Sequence, residues 1–339
     1  MMTGDGQQGT RTRAITSRRR LLAAAAVAPM LAGAGPGAAQ ALPAREAGAE
    51  RWAVEPVRTG EADWEDVANA LGRRGNMLRG TIYHTGFPRR DLYVISDGVL
   101  VTPGLALGTH VAFVRYADGS TMAMGDVVVT EDETQQVCDA WQAHGIEQTA
   151  LHKHLLAQTP DLWWAHVHAH GDDPVALARG LRAGFDRTGT PPAGPPGRQG
   201  SVDLDVAGVE AALDVRGTTE DGLYKCLFVR RETIVDGRLV LPAGLGATCA
   251  FNFQPVGGGR VALSGDFAMV AEEVQDVLRL LRRGGIKLVE LHNHHLTETP
   301  RLFFTHFWAV GDAVELARAL RSAVEAANVA PAVNVVPAG

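Results

Sequence analysis

The sequence repeats itself. Residues 125–170 and 265–310 align at a constant offset of 140 positions. Gly125-Asp126 matches Gly265-Asp266, Leu151-His152 matches Leu291-His292, and His154 matches His294. Thr159-Pro160 matches Thr299-Pro300, and His166 matches His306. Upstream the match continues with small gaps: LGTHVAF (107–113) against LGATCAF (245–251), Arg89-Arg90 against Arg230-Arg231, Asp97-Gly98 against Asp236-Gly237. Two copies of one unit fold alike, so this duplication constrains the architecture more than any composition does. Unit one is placed at about 60–188 and unit two at about 202–330. The Pro- and Gly-rich stretch 189–201 reads as a linker.

Within a unit the pattern starts with strands. VRRETIVDGRLVLP and ATCAFNFQ carry β-branched and aromatic residues bounded by Gly and Pro, and RVALSGDFAMV continues in the same style. EEVQDVLRLLRRGG then places Val274, Val277, Leu278 and Leu281 on one helical stripe. Gly284-Gly285 ends that helix, because glycine tolerates the left-handed conformation at a helix C-terminus. Two further strands, IKLVELHNHHL and PRLFFTHFWAV, precede a last helix, AVELARALRSAVEAA. In unit one that helix starts with Asp173-Pro174, a capping acid before a proline at the first helical position. The order β-β-β-β-α-β-β-α predicts an α+β fold, with helices covering one face of a mostly antiparallel sheet. Two such units are expected to pack as a pseudo-dimer.

The chain has 339 residues, 46% hydrophobic and 21% charged, with a formal net charge of −6. That balance fits a globular protein and argues against nucleic acid or an anionic membrane as the partner. A small-molecule ligand or substrate fits it better. Cys138, Cys226 and Cys249 imply no disulfide framework; one bridge, Cys226 to Cys249, is the pairing to test. Residues 1–41 read as a signal peptide of the twin-arginine type. Arg18-Arg19-Arg20 precedes a short apolar run, and Ala39-Gln40-Ala41 resembles a cleavage site. The apolar run is too short for a stable membrane anchor. The expected location is therefore secreted or in the cell envelope, with a mature chain starting near Leu42.

Nine of the 12 histidines lie in the two predicted hairpins. In a strand, residues i and i+2 share a face, so His292 and His294 point the same way. A hairpin centred near Glu298 sets His292 roughly opposite His306. Cross-strand partners approach closely enough for imidazoles to converge. The predicted metal ligands are His292, His294 and His306 in unit two. Their copies are His152, His154 and His166 in unit one, where His168 and His170 extend the same face. Zinc suits three imidazoles with a fourth position open to water; copper, nickel or iron accept the same ligation. Glu290 and His295 are the candidates for moving protons. Asp126 and Asp266 are read either as carboxylates orienting the imidazoles or as turn residues. Arg89 and Arg230 are read as solvated strand-edge side chains.

The two segments GIEQTALHKHLLAQTPDLWWAHVHAHGDDPVALARGLRAGF (145–185) and GGIKLVELHNHHLTETPRLFFTHFWAVGDAVELARALRSAV (284–324) resemble the two repeats of the LppY/LpqO family. FNFQPVGGGRVALSGDF (251–267) resembles its second repeat. The resemblance implies an exported bacterial protein of unestablished function. This chain departs from it in three places: no cysteine follows the leader's apolar run, His110 replaces an aromatic, and Val229 precedes Arg230 where proline is expected. H-x-H followed by a later His is also similar, at a different spacing, to the zinc ligands of acetolactate decarboxylase. Together these readings suggest a divalent-metal protein, either a hydrolase or lyase or a non-catalytic binder.

Overall fold

The computed structural model describes residues 53–194 and 201–332. The leader at 1–41 and part of the linker lie outside them. Unit one runs through α1 (Glu65–Leu71), β1 (Asn76–Leu78), β2 (Ile82–Pro88), β3 (Val94–Ser96), β4 (Val99–Val101) and α2 (Pro103–Ala106). It continues with β5 (Gly108–Arg115), β6 (Thr121–Thr130), α3 (Glu131–Gln142), β7 (Glu147–His152), β8 (Gln158–Thr159), β9 (Leu162–Gly171) and α4 (Pro174–Phe185). Unit two repeats most of this as α5 (Val206–Leu213), β10 (Thr218–Glu220), β11 (Leu223–Arg230), β12 (Val235–Asp236), β13 (Leu239–Val240) and β14 (Thr248–Gly257). It ends with β15 (Arg260–Met269), α6 (Ala271–Arg283), β16 (Lys287–His292), β17 (Glu298–Thr299), β18 (Phe303–Asp312), α7 (Ala313–Glu325) and β19 (Val329–Pro331).

The fold is α+β with antiparallel sheets, as the alternation of patterns predicts. The main sheets have equivalent strand orders, β1-β2-β5-β6-β9-β7 and β10-β11-β14-β15-β18-β16. Each unit adds a three-stranded flap, β4-β3-β8 and β13-β12-β17. Each unit also opens with a helix, α1 or α5, that the strand-first reading omits. Both are short, and Val67, Ala68 and Leu71 are the only buried side chains of α1. Too few apolar positions recur there to make a visible stripe. No helix among the described residues is long and apolar enough to cross a membrane.

Alternation along the central strands builds two cores. On β6 and β9, Ala123, Val127, Val129, Ala165, Val167 and Ala169 pack under the unit-one helices with Val137, Trp141 and Leu181. The opposite face carries Met122 and Met124, which join a core cluster with Leu239, Leu241 and Leu245 of unit two. Val128 and Trp164 from the same face meet Ala262 and Trp308. The two sheets therefore face each other, with helices on the outside. Residues of even number on β6, β9, β15 and β18 line the space between them.

Local signals close the helices. The Thr130 hydroxyl accepts from the Glu133 N–H, and the Glu133 carboxylate accepts from the Thr130 N–H at 2.9 Å, a capping box. Asp173 and Asp312 cap α4 and α7 by accepting two backbone N–H groups each. Gly285 takes φ +75 after α6, the left-handed turn expected there. Cys138, Cys226 and Cys249 are all free thiols. Cys226 pairs across the ladder with Phe251, and Cys249 with Phe228, so the expected bridge has no facing partner.

Arg89 and Arg230 correct the strand-edge reading. Their side chains are each 1% exposed. Arg89 donates to Glu133 at 2.8 Å, to Asp91 and to the Val128 carbonyl. Arg230 repeats this with Glu273, Glu232 and the Ala268 carbonyl. The hydrophobic surroundings of the strand end cover the guanidinium, and the capping glutamate supplies its charge partner. Burial pushes the Glu133 carboxyl up, but Arg89 and the N–H groups of Thr130 and Gly189 outweigh it, leaving a net depression. A depressed carboxyl stabilises the fold fully above the ordinary glutamate range and loses that contribution as pH falls through its folded value. Arg89→Ala is expected to cost about 3 kcal/mol, because it strands a half-buried carboxylate. Urea denaturation should show that cost at neutral pH and a smaller difference from wild type in acid.

Candidate metal centre

The register sets the site. On the central strands, Asp126 lies opposite His166 and Asp266 opposite His306. Gly125 and Gly265 precede these acids, and a Cβ at Gly265 would stand 2.3 Å from the Ala250 carbonyl. Glycine thus lets β14 approach closely beside the acid. On the neighbouring edge strands, His152 faces Trp164 and His292 faces Phe304. The expected pairing of His292 with His306 is therefore displaced by two residues; Glu290 faces His306 instead. The connection is not a tight hairpin. It runs out through β17, which pairs with β12, and returns, so His294 lies beyond the end of β16.

The larger correction is that each unit does not enclose its own three-histidine site. The histidines of both units meet between the sheets. The His152 and His292 rings, equivalent in the repeat, stack at 4.1 Å between centroids. His154 lies 3.8 Å from His306, and His294 lies 4.1 Å from His166. Within units, His152–His166 is 4.4 Å and His292–His306 is 4.7 Å. Each distance recurs when the units are exchanged, so the centre straddles a pseudo-twofold axis. In this centre the groups whose donor atoms all lie within 4.8 Å of one another are His152/His292/His306, His166/His292/His294 and Asp126/His152/His154. Both three-histidine groups draw on both units.

Flat aromatic walls hold the outer imidazoles. His294 stacks on Phe304 at 3.4 Å, and His154 on Trp164 at 4.6 Å. Asp126 Oδ2 is 3.1 Å from His154 Nε2, and Asp266 Oδ2 is 3.1 Å from His294 Nε2. Of the two readings of these acids, the structure selects the carboxylates that contact imidazoles. The His306 Nδ1–H donates to the Gly265 carbonyl at 3.0 Å, which leaves the Nε2 lone pair free to bind an ion. Stitches across the interface fix the loops. Thr149 donates to the His294 carbonyl at 2.6 Å, and Asn293 donates to the Thr149 carbonyl.

Burial sets the charge state. It pushes His152, His166 and His294 well below the ordinary histidine range, with neighbouring imidazoles adding to the effect. His306 is pushed down to about 4 for the same reason. Burial pushes the Asp266 carboxyl up to about 7. Asp126 is equally buried, yet His154 and His166 hold it below the usual carboxylate range. The neutral imidazole is the form that binds metals.

Eight buried atoms here have no hydrogen-bond partner: Asp126 Oδ1, His152 Nδ1, His166 Nε2, Asp266 Oδ1, both ring nitrogens of His292, His294 Nε2 and His306 Nε2. Each such group costs about 1–3 kcal/mol if left unsatisfied. Donors about 2.0–2.1 Å from one ion stand about 2.9 Å apart at right angles and about 3.4 Å apart at tetrahedral angles. The His152–His154 nitrogen separation is 2.9 Å, and the Asp–His separations above fall in the same span. The donor set could hold a metal ion.

The remaining candidates sit elsewhere. Glu290 is half-buried and accepts from the Lys153 N–H at 2.8 Å; it ties the units together and belongs to no donor group. His170 is exposed, with its ring 6.4 Å from that of His168, because β9 has already left the interface at that point. His168 and His295 lie in a separate buried cluster with Asp236, discussed below. Asp236 was invisible in the sequence. It stands in an Asp-Gly pair that reads as a turn, and only the pairing of β12 with β17 brings it near His295.

A family model described as "Domain of Unknown Function (DUF1259)" matches residues 65–187 and again residues 207–326. No curated protein matches the chain. Two solved structures share limited likeness. One is a trimeric bacterial microcompartment shell protein, PduB, at 14% identity and TM-score 0.18, covering 73% of this chain and 86% of that one. The other is the double-ringed trimeric shell protein MSM0271 from the RMM microcompartment, at 10% identity and TM-score 0.18, covering 61% and 82%.

A shared centre has a measurable signature. His152→Ala and His306→Ala, made separately in the full chain, should each abolish the metal that the group His152/His292/His306 holds, and the double variant should lose no more. Independent sites would instead give half losses that add.

Proposed function

We propose that this chain, a member of the DUF1259 family, is a metal-binding protein that clamps a divalent transition metal between its two repeats. The observation that carries the reading is the set of eight unpartnered buried donor atoms contributed by both units. Hydrogen-bonded packing would leave such atoms paired. Zinc suits the mixture of neutral imidazoles and carboxylates, with copper, nickel or iron served by similar ligation. His152, His154, His292 and His294 would supply the H-x-H ligands, His166 and His306 the ligands from the returning strands, and Asp126 and Asp266 the carboxylates. The reading of residues 1–41 as a twin-arginine leader, together with the LppY/LpqO resemblance, supports a role outside the cytoplasm. Folded export would let the metal enter before secretion.

One observation supports a second reading, a metal-dependent hydrolase or lyase. The groups His152/His292/His306 and His166/His292/His294 offer three donors each. Three protein ligands leave a tetrahedral ion one position for water or a substrate oxygen, where it can activate the one or polarise the other. The depth of the donors favours binding over turnover, since His152, His166, His294 and His306 are all buried.

Elemental analysis of the mature protein, purified without chelator, should find about one equivalent of metal or more per chain. His292→Ala should lose that of the central site. Less than about a tenth of an equivalent overturns the proposal. Chelation should lower Tm, and returning the metal should restore it, since a ligand at about a hundredfold its Kd adds about 2.7 kcal/mol to stability.

A further inference from the structure

A second cluster lies away from the central axis. His168 on β9, Asp236 on β12 and His295 after β16 offer donor atoms within 4.8 Å of one another. They are 3%, 4% and 0% exposed. His295 Nε2 lies 3.0 Å from the Gly246 carbonyl. A carbonyl only accepts, so Nε2 carries the proton. With Nε2 on the carbonyl, the other ring nitrogen, Nδ1, faces Asp236 Oδ2, 3.5 Å away, and has no hydrogen-bond partner. An Nδ1 without a proton would set two electron pairs against each other in a buried space, which a cation between them relieves. His168 Nδ1 is also 3.5 Å from Asp236 Oδ2, and its Nε2 has no partner. These separations are long for hydrogen bonds. They match the edge of about 3.4 Å between donors on a tetrahedral ion.

The surroundings are built to hold that arrangement. Thr297 donates its hydroxyl to the other oxygen of Asp236, which orients the carboxylate. Gly246 has φ +61, and a Cβ there would stand 2.5 Å from His295 Nε2. Among the described residues no Lys or Arg pairs with Asp236. Arg301 contacts the His295 carbonyl and Glu298 instead.

The repeat supplies an internal control. The positions matching His168 and His295 are Trp308 and Leu155. Both are fully buried in one apolar cluster. Ser96 holds the register position of Asp236, opposite Gln158 as Asp236 is opposite Glu298, and donates its hydroxyl to the Leu156 carbonyl at 2.7 Å. At that corner the same backbone is held by hydrophobic packing. The polar corner replaces it with two imidazoles and a carboxylate, and apolar packing alone would not require them.

We infer that His168, Asp236 and His295 form a second divalent-metal site, distinct from the central one and present in only one of the two equivalent corners. Two of its ligands come from unit two and one from unit one, so the ion ties β9 to the β12 flap. Its burial assigns it a structural role. The alternative occupant is a proton, giving a buried imidazolium–carboxylate pair at His295.

The test uses the full mature chain loaded with zinc and dialysed. Wild type should hold one equivalent more than His168→Gln and than Asp236→Asn, and His292→Ala should keep that equivalent. Cobalt(II) provides a readout that does not depend on the corner variants folding: His292→Ala should still develop visible d–d absorption on titration. A spectrally silent His292→Ala, or folded corner variants with undiminished zinc, overturns the site in favour of the proton. The two centres fail separately. Metal lost with His168→Gln but untouched by His292→Ala upholds this site and overturns the central one, and the reverse pattern does the opposite.

Discussion

Two sheet faces pressed together exclude water, and everything placed between them must find a partner there. Most of this interface meets the requirement with apolar side chains such as Val128, Trp164, Ala262 and Trp308. The exception is the band where Asp126, His166, Asp266 and His306 occupy interface positions on the central strands. A lone imidazole in such a place can hydrogen-bond a backbone carbonyl with one nitrogen, as His306 does with Gly265. Its other nitrogen then needs a donor or a cation. Six imidazoles and two carboxylates crowded together offer many acceptor lone pairs, and burial holds His152, His166, His292, His294 and His306 below the ordinary histidine range, which favours their neutral form. A cation is the simplest species that satisfies several of them at once.

Duplication explains why the centre is shared. Residues near a twofold axis lie close to their own equivalents, so one histidine duplicated becomes two in contact. His152 and His292 show this directly, stacked at 4.1 Å with 16° between their planes. A weak ligand set in one unit therefore becomes a dense one on pairing. The same geometry makes the site depend on the interface. The stitches from Thr149, Asn293 and Glu290 all cross between units, and they hold the ligand loops in register.

The repeat, the class of fold and most of the donor residues could be read from residue types and spacing. Periodicity reports which residues share a face of one element, so His152 with His154 and His292 with His294 were accessible. It carries no information about which face meets which partner. That is why the histidines were read as two sites, and why His170 was grouped with residues from which the end of β9 separates it. The register error at His292 has a local cause. The ten residues 293–302 look like a turn, because the pairing of β17 with the distant β12 leaves no periodic signature. Arg89 and Arg230 were misread for a related reason: their partners Glu133 and Glu273 lie more than forty positions away.

The two equivalent corners show how a duplicated fold diverges. A corner filled by Trp308 and Leu155 gains stability from buried apolar area, which tolerates small shifts of the flap because dispersion contacts are non-directional. A corner filled by His168, Asp236 and His295 gains it from directed bonds that tolerate very little. The choice of chemistry also changes what the flap responds to. Hydrophobic packing is indifferent to metal supply, whereas a metal-tied flap is ordered only when the ion is present. If the proposed outer ion is bound, one corner is tied down by packing and the other by that ion, on the side that carries His295, the immediate neighbour of His294. On the proposed reading, loading of the outer corner would bear on the alignment of the central histidines through a single peptide unit.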